Sequence, residues 1–250
     1  MNSIFFVAAV SGLLYTWDLQ LKVLTAFRYS TARKYIKNNI WNWTRELFAV
    51  ARLYGGLNVE IASDVPEEDV PQQCLLIANH QSLVDIAVLL FAFPHHSLRF
   101  VAKKELEHWY PAVSHVLRAQ KHAMIDRRAN YSSTMHRLGV FGRNSKSGYC
   151  PVVFPEGTRS RDGQVKTFSA GAVRRVLEYN PLPIVAVAVD GGYKVSHFTS
   201  LVRDTREKAY RARIMQIYPA PQTKQEVAAT LKSAQQTITS QINSWQHMDA

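Results

Sequence analysis

The chain has 250 residues, 47% of them hydrophobic and 20% charged, which excludes disordered and collagen-like classes and suits one large domain with or without an appendage. A balance of 30 Lys+Arg against 19 Asp+Glu leaves a net charge of +11, so an anionic partner is expected: nucleic acid, an anionic membrane surface or a phosphorylated substrate. Cys74 and Cys150 lie in or beside apolar runs without zinc spacing, and both are expected to be buried free thiols rather than a disulfide framework.

From Met1 to Trp17 no side chain is charged, and the segment 4–15 is nearly all apolar. A helix of that length reaches only about 18 Å, short of a hydrocarbon core of about 30 Å. Extending it to Phe27 would place Asp18, Gln20 and Lys22 in lipid, which is costly. No Lys or Arg precedes the apolar run, so it is a poor signal peptide, and a polytopic membrane protein is excluded. The stretch 22–52 carries Lys22, Arg28, Arg33, Lys34, Lys37, Arg45 and Arg52 against Glu46 alone, interleaved with Phe27, Tyr29, Tyr35, Trp41, Trp43 and Phe48. Apolar positions 36, 40, 43, 47 and 50 recur at helical spacing. Cationic and aromatic helical faces suit a membrane interface; the alternative is that this face covers the protein's own core. Tyr54-Gly55-Gly56 ends the helix, which divides the chain into a helical membrane-association segment, 1–54, and a main domain, 55–250.

Beyond it, short β-branched runs alternate with helical patterns. Strands are predicted at 57–62, 73–78, 98–102, 123–126, 151–154, 183–189 and 212–218, and helices at 83–91, 112–118, 131–142, 170–178 and 224–245. Runs such as Leu75-Leu76-Ile77-Ala78 lack polar alternation, so those strands are covered on both faces. The fold class is α/β, with a central, mostly buried sheet of about seven strands flanked by helices and preceded by the N-terminal helical segment.

Three features stand at the C-terminal ends of predicted strands, where open α/β sheets place their sites. The first is Asn79-His80-Gln81-Ser82-Leu83-Val84-Asp85. In a continuous helix His80 and Asp85 would diverge by about 140°, so they meet only if His80 lies in the strand–helix turn, with Gln81 or Ser82 capping the helix. Asp85 would then hold Nδ1–H and leave Nε2 free as a base; the bland alternative is a capping or core histidine. The second is Phe154-Pro155-Glu156-Gly157-Thr158-Arg159-Ser160, in which Gly157 permits close approach and Thr158 and Arg159 can donate to phosphate. The third, Ile125-Asp126-Arg127-Arg128, adds guanidiniums at another strand end.

These blocks, with Leu182-Pro183-Ile184-Val185, occur in the order seen in the glycerolipid acyltransferase superfamily, and the chain over 57–190 resembles its 1-acyl-sn-glycerol-3-phosphate (lysophosphatidate) acyltransferases. Where that family usually has a glycine, this chain has Lys121-His122-Ala123. The resemblance implies that His80, oriented by Asp85, deprotonates the free hydroxyl of lysophosphatidate as it attacks an acyl thioester on CoA or acyl carrier protein. It implies Gly157 with Lys103 or Lys104 at the oxyanion, and Arg127, Glu156, Gly157, Thr158 and Arg159 at the acceptor phosphate. The expected reaction gives phosphatidate in phospholipid biosynthesis, with no resident cofactor and no metal. Its partners are the lipid and thioester substrates and a membrane surface, on the cytoplasmic face, with nucleic acid set aside. The alternatives are another lysophospholipid acceptor, a phospholipid transacylase, or, in another class, a non-enzymatic basic membrane-binding module.

Overall fold

The computed structural model describes residues 3–126, 128–195 and 209–248. It opens with a helical hairpin: α1 (Ser3–Phe27) and α2 (Tyr29–Gly55), joined at Arg28, whose extended backbone breaks the helix. Gly56 closes α2 in the left-handed conformation at φ 69°, its N–H returning to the Arg52 carbonyl over 3.0 Å. Among the described residues no helix is long and apolar enough to cross a membrane. The apolar run and the basic aromatic stretch are thus two long helices lying against each other. Trp17 of α1 stacks on Trp43 of α2 at 5.3 Å, and Leu21 and Ile36 are buried beside them.

Asp18 is buried, as no lipid-spanning helix would tolerate, and three donors satisfy it there. It accepts from the Ala112 N–H at 2.9 Å, His115 Nδ1 at 2.9 Å and Lys22 Nζ at 2.9 Å. Burial works to raise its pKa, but Lys22, the Ala112 N–H and His115 together hold the carboxyl below its ordinary value. This contact ties α1 to α4 (Val113–Ala119).

The seven strands are β1 (Asn58–Ser63), β2 (Leu75–Ala78), β3 (Leu98–Lys103), β4 (Ala123–Ile125), β5 (Cys150–Val153), β6 (Ile184–Asp190) and β7 (Ala209–Tyr218). They form one sheet in the order β1-β7-β6-β2-β5-β3-β4, parallel throughout except for the antiparallel β6–β7 pair. The α/β expectation therefore holds, with each strand within a few residues of its predicted place. The helices α3 (Val84–Ala92), α5 (Tyr131–Ser145), α6 (Ala170–Leu177) and α7 (Lys224–Met248) complete the two layers with α1, α2 and α4.

β6 explains why its sequence lacks alternation. Val185, Val187 and Val189 face a cluster that includes Phe48, Ala51, Val88 and Leu89 of α2 and α3. Ile184, Ala186 and Ala188 face α5, α6 and α7 on the other side. All are fully buried, and each buried valine contributes roughly 1.5–3 kcal/mol of hydrophobic transfer. On α7 the buried positions Val227, Leu231, Ala234, Ile238, Ile242 and Trp245 recur at steps of three and four, so that helix seals the second face.

Both cysteines are buried and free, as expected. The register Leu76↔Val152 makes Cys74 and Cys150 lateral neighbours, and their sulfurs lie 3.8 Å apart.

Candidate active site

Because β2, β5, β3 and β4 run parallel and adjacent, their C-terminal ends line one edge of the sheet. His80 follows β2, the 154–160 loop follows β5, Lys103 and Lys104 end β3, and Asp126 follows β4. The sequence-predicted blocks thus share an edge, spaced by about 4.8 Å per strand. Arg127 lies outside the described residues.

His80 sits ahead of α3, in the turn, so the dyad forms. Its Nδ1 is 2.7 Å from Asp85 Oδ2. The same oxygen accepts the backbone N–H groups of Gln81 at 2.7 Å and Ser82 at 2.8 Å. Of the two expected caps only Ser82 reaches the helix; Leu83 is the N-cap residue without a side-chain bond, and Asp85 takes the free N–H groups of the turn. Ser82 Oγ accepts from the Val84 N–H, at 3.3 Å. Asp85 Oδ1 accepts the hydroxyl of Tyr210, which lies at the start of β7. A fully buried carboxylate with this many donors is fixed in place.

The 154–160 loop grips the histidine from the other side. Glu156 Oε1 accepts the His80 N–H at 3.0 Å, and the Ser160 N–H donates to the His80 carbonyl at 2.7 Å. The Phe154 ring stacks on the imidazole at 4.0 Å between centroids. Glu156 Oε2 is buried without a hydrogen bond among the described residues. Burial pushes the Glu156 carboxyl up to about 7, against the opposing pull of the His80 N–H and Lys166.

The remaining expected residues divide. Gly157 has φ 68°, with open space where a side chain would project, and its N–H closes a turn onto the Phe154 carbonyl at 3.0 Å. That N–H is therefore engaged within the loop, and the expectation that it faces an oxyanion needs the turn to open. Thr158 is exposed and Arg159 half-buried, and no carboxylate pairs with the Arg159 guanidinium among the described residues. Lys166 Nζ donates to the Arg159 carbonyl at 2.9 Å. Lys104 pairs with Asp126 at 3.7 Å, whereas Lys103 has no ion-pair partner among the described residues. The Arg128 N–H, and after it Lys104, hold the Asp126 carboxyl below its ordinary value.

Several residues escaped the sequence reading. Asn79 bridges the ends of β2 and β6, its amide donating to the Val189 carbonyl at 2.7 Å and accepting the Val189 N–H at 2.8 Å. Gln81 donates to Asp190 at 3.1 Å and to the Gly163 carbonyl at 3.2 Å. Gly192 fits against Tyr210 and Asp85 with no room for a methyl group. Asn79 stood inside the motif and could have been singled out as an amide entering a turn; Gln81, expected only as a helix cap, ties the turn to Asp190 and Gly163 instead, and Tyr210 and Gly192 carry no local signal.

A histidine–carboxylate pair at the C-terminal edge of an α/β sheet has the geometry of a general base. Both cysteines lie at the opposite ends of β2 and β5. The chain belongs to the acyltransferase family, whose model, described as Acyltransferase, matches residues 57–190. A 1-acyl-sn-glycerol-3-phosphate acyltransferase from Cocos nucifera is 31% identical over 152 residues, which is 60% of this chain and 44% of that protein. A lyso-ornithine lipid O-acyltransferase from Rhizobium meliloti (strain 1021) is 33% identical over 147 residues, 57% of this chain and 47% of that one. The chain thus spans less than half the length of these curated relatives. The crystal structure of the 1-acyl-sn-glycerophosphate (LPA) acyltransferase PlsC from Thermotoga maritima matches with a TM-score of 0.72 over 98% of this chain and 94% of that one. At 20% identity, that likeness is one of fold.

Proposed function

We propose that this chain transfers a fatty acyl group from an acyl-CoA or acyl carrier protein thioester to the free hydroxyl of lysophosphatidate, giving phosphatidate in phospholipid biosynthesis. The observation that carries the reading is the Asp85 cradle. With Oδ2 on Nδ1 and two backbone N–H groups, and Oδ1 on Tyr210, the carboxylate holds His80 with Nε2 as its free nitrogen. Nε2 takes the proton from the acceptor hydroxyl as its oxygen bonds to the thioester carbonyl carbon. The tetrahedral intermediate collapses, the C–S bond breaks, and the proton passes to the leaving thiolate. No acyl-enzyme forms in this scheme. Lys103, whose ammonium has no ion-pair partner among the described residues, is the candidate for the oxyanion, on a strand end about 10 Å from that of β2. Thr158 and Arg159, with Arg127, are assigned to the acceptor phosphate and Glu156 to the loop that holds His80. No resident cofactor or metal is assigned a role.

The substrates place the enzyme at a membrane, and α1 supplies a surface for it. Tyr15, Leu19, Val23 and Phe27, four positions apart, form an exposed stripe facing away from α2, and Phe27 is 86% exposed. Cations of the hairpin adjoin it, including Lys22 and Arg28. We assign this stripe to the cytoplasmic leaflet, lying in the interface without spanning it.

Free-thiol release from acyl-CoA, run against lysophosphatidate, other lysophospholipids and a lyso-ornithine lipid with mass spectrometry of each product, tests the reading. Phosphatidate as the main product supports it. Turnover that survives in folded His80→Ala protein refutes the mechanism, and turnover with another acceptor alone refutes the substrate.

A further inference from the structure

The edge of the sheet opposite His80 also carries a concentration of charge. There the N-terminal ends of β3, β4 and β5 and the flank of α2 surround a cavity of about 670 Å³. Its cations come from four places: Arg33, Lys34 and Lys37 from α2, Arg99 from β3, Lys121 from the α4–β4 turn, and Arg143 from the last turn of α5. Among the described residues no acidic side chain lines it.

Two of these residues carry a cost: Arg99 in a buried Nε without an acceptor, and Lys121 in the left-handed residue of the turn that closes α4, where its N–H meets the Arg118 carbonyl at 3.1 Å. Arg99 donates to the Leu98 carbonyl and to Gln120 and lies over the Tyr149 ring, yet its Nε is buried without a hydrogen bond. No carboxylate pairs with it among the described residues, and burial, with Arg33 adding to the effect, lowers its pKa to about 10. A part-buried guanidinium with one buried N–H unanswered and no counter-ion can take an anion's oxygen. Lys121 has φ 58°, the left-handed region that a residue with a Cβ avoids and a glycine occupies freely. What lysine adds at that position is a side chain, and the side chain lines the cavity. α4 and α5 both end here, and their negative dipole ends favour Lys121 and Arg143. They leave the three cations of α2 and the part-buried Arg99 unanswered.

We propose that this cavity is a second anion site, separate from the catalytic edge, that takes a phosphomonoester or diphosphate group. Phosphate fits better than a carboxylate because it offers up to two charges and three acceptor oxygens to six cationic residues, of which Arg143 also stacks on Tyr179 at 4.5 Å. The group can arrive on an anionic lipid headgroup or as a free polyphosphate; the chemistry recognised is the same.

The test is calorimetric titration of the full chain with inorganic pyrophosphate. The Lys121→Gly/Arg143→Gln double variant should bind at least tenfold more weakly, while Lys232→Gln, on the exposed face of α7, should bind as the parent does. Full binding by the folded double variant, or an equal loss in Lys232→Gln, overturns the proposal. If the double variant does not fold, Lys34→Glu, on an exposed helix face, must by itself weaken pyrophosphate at least tenfold, or the proposal fails. Displacement of bound pyrophosphate by phosphatidylcholine vesicles containing phosphatidate, and not by phosphatidylcholine alone, identifies the lipid source. Failure of both vesicles to displace it identifies the soluble one.

Discussion

Tyr210 donates its hydroxyl to Asp85 Oδ1 across 125 positions of chain, and it can do so because β7 runs antiparallel to its neighbour β6. That reversal brings the first residues of β7 to the edge where the parallel strands end. Tyr210 is fully buried, so its removal leaves one carboxylate oxygen without a donor in a dry site. Tyr210→Phe is expected to cost about 1.5–3 kcal/mol of stability, as for a lost hydrogen bond to a buried charge. It should also lower kcat with KM little changed, since the tyrosine positions the dyad and touches no substrate. Thermal melting and steady-state kinetics check this; an unchanged kcat in a destabilised protein would reduce Tyr210 to a packing residue.

Gly192 is part of the same arrangement. A Cβ there would stand 2.6 Å from the Tyr210 hydroxyl, 2.8 Å from Gln81 Cβ and 2.9 Å from Asp85 Oδ1. Gly192→Ala is expected to destabilise by about 1–3 kcal/mol and to inactivate by shifting the carboxylate away from His80. The paired measurement is melting temperature and thiol release. Wild-type turnover would mean that the three side chains move aside together.

What could be read from the sequence follows from how local each relationship is. His80 and Asp85 are five positions apart, so the strand–turn–helix pattern around them gave the condition under which they meet, and the resemblance of the surrounding blocks favoured that over a capping histidine. The unalternating Ile184 to Val189 run announced a strand covered on both faces. Tyr210 was beyond reach: its alternation with Arg211 marks a buried face, but nothing in the chain says which strand that face adjoins. The same holds for Cys74 and Cys150, expected singly as buried thiols and found side by side through strand register. The basic cavity draws on four elements at once, so no linear pattern could show it. Asp18 was correctly seen as a poor residue for a spanning helix, but its three donors come from α1 and α4 together.

The exposed stripe of α1 makes a prediction for membrane association. Leu19 and Phe27 face solvent, so polar replacements should leave the fold intact. Burying an aromatic or a leucine side chain is worth about 1.5–3 kcal/mol, so Phe27→Gln should weaken partitioning onto anionic vesicles by about tenfold or more. Leu19→Gln combined with it should weaken binding further, with an unchanged melting temperature. Co-sedimentation with phosphatidylglycerol vesicles gives the answer, and equal partitioning would remove the stripe as the membrane surface.

Lys121 gives a prediction of opposite sign. Its left-handed backbone disfavours any side chain by about 1–2 kcal/mol relative to glycine, although glycine also loosens the unfolded chain. Lys121→Gly is therefore expected to stabilise by about 0.5–1 kcal/mol, with like charges in the cavity relieved as well. A higher denaturation midpoint with unaltered cooperativity is the expected result. A lower midpoint would show that the lysine makes contacts worth more than the strain.

Glu156 ties stability to pH. Burial raises its carboxyl from 4.5 in the unfolded chain to about 7 in the fold, so the folded state binds more protons in that window. The stability it contributes is fully present below pH 4.5 and is lost as pH rises through about 7, where the buried group must carry its charge. A carboxamide in its place would keep an oxygen for the His80 N–H and would never ionise. In Glu156→Gln the melting temperature relative to the parent is therefore expected to rise between pH 4.5 and 7 and level off above, with the other titrating groups cancelling in the difference. A difference that is flat with pH would mean that Glu156 ionises in the fold over the same range as in the unfolded chain. Its buried oxygen would then need a donor that only the loaded site supplies.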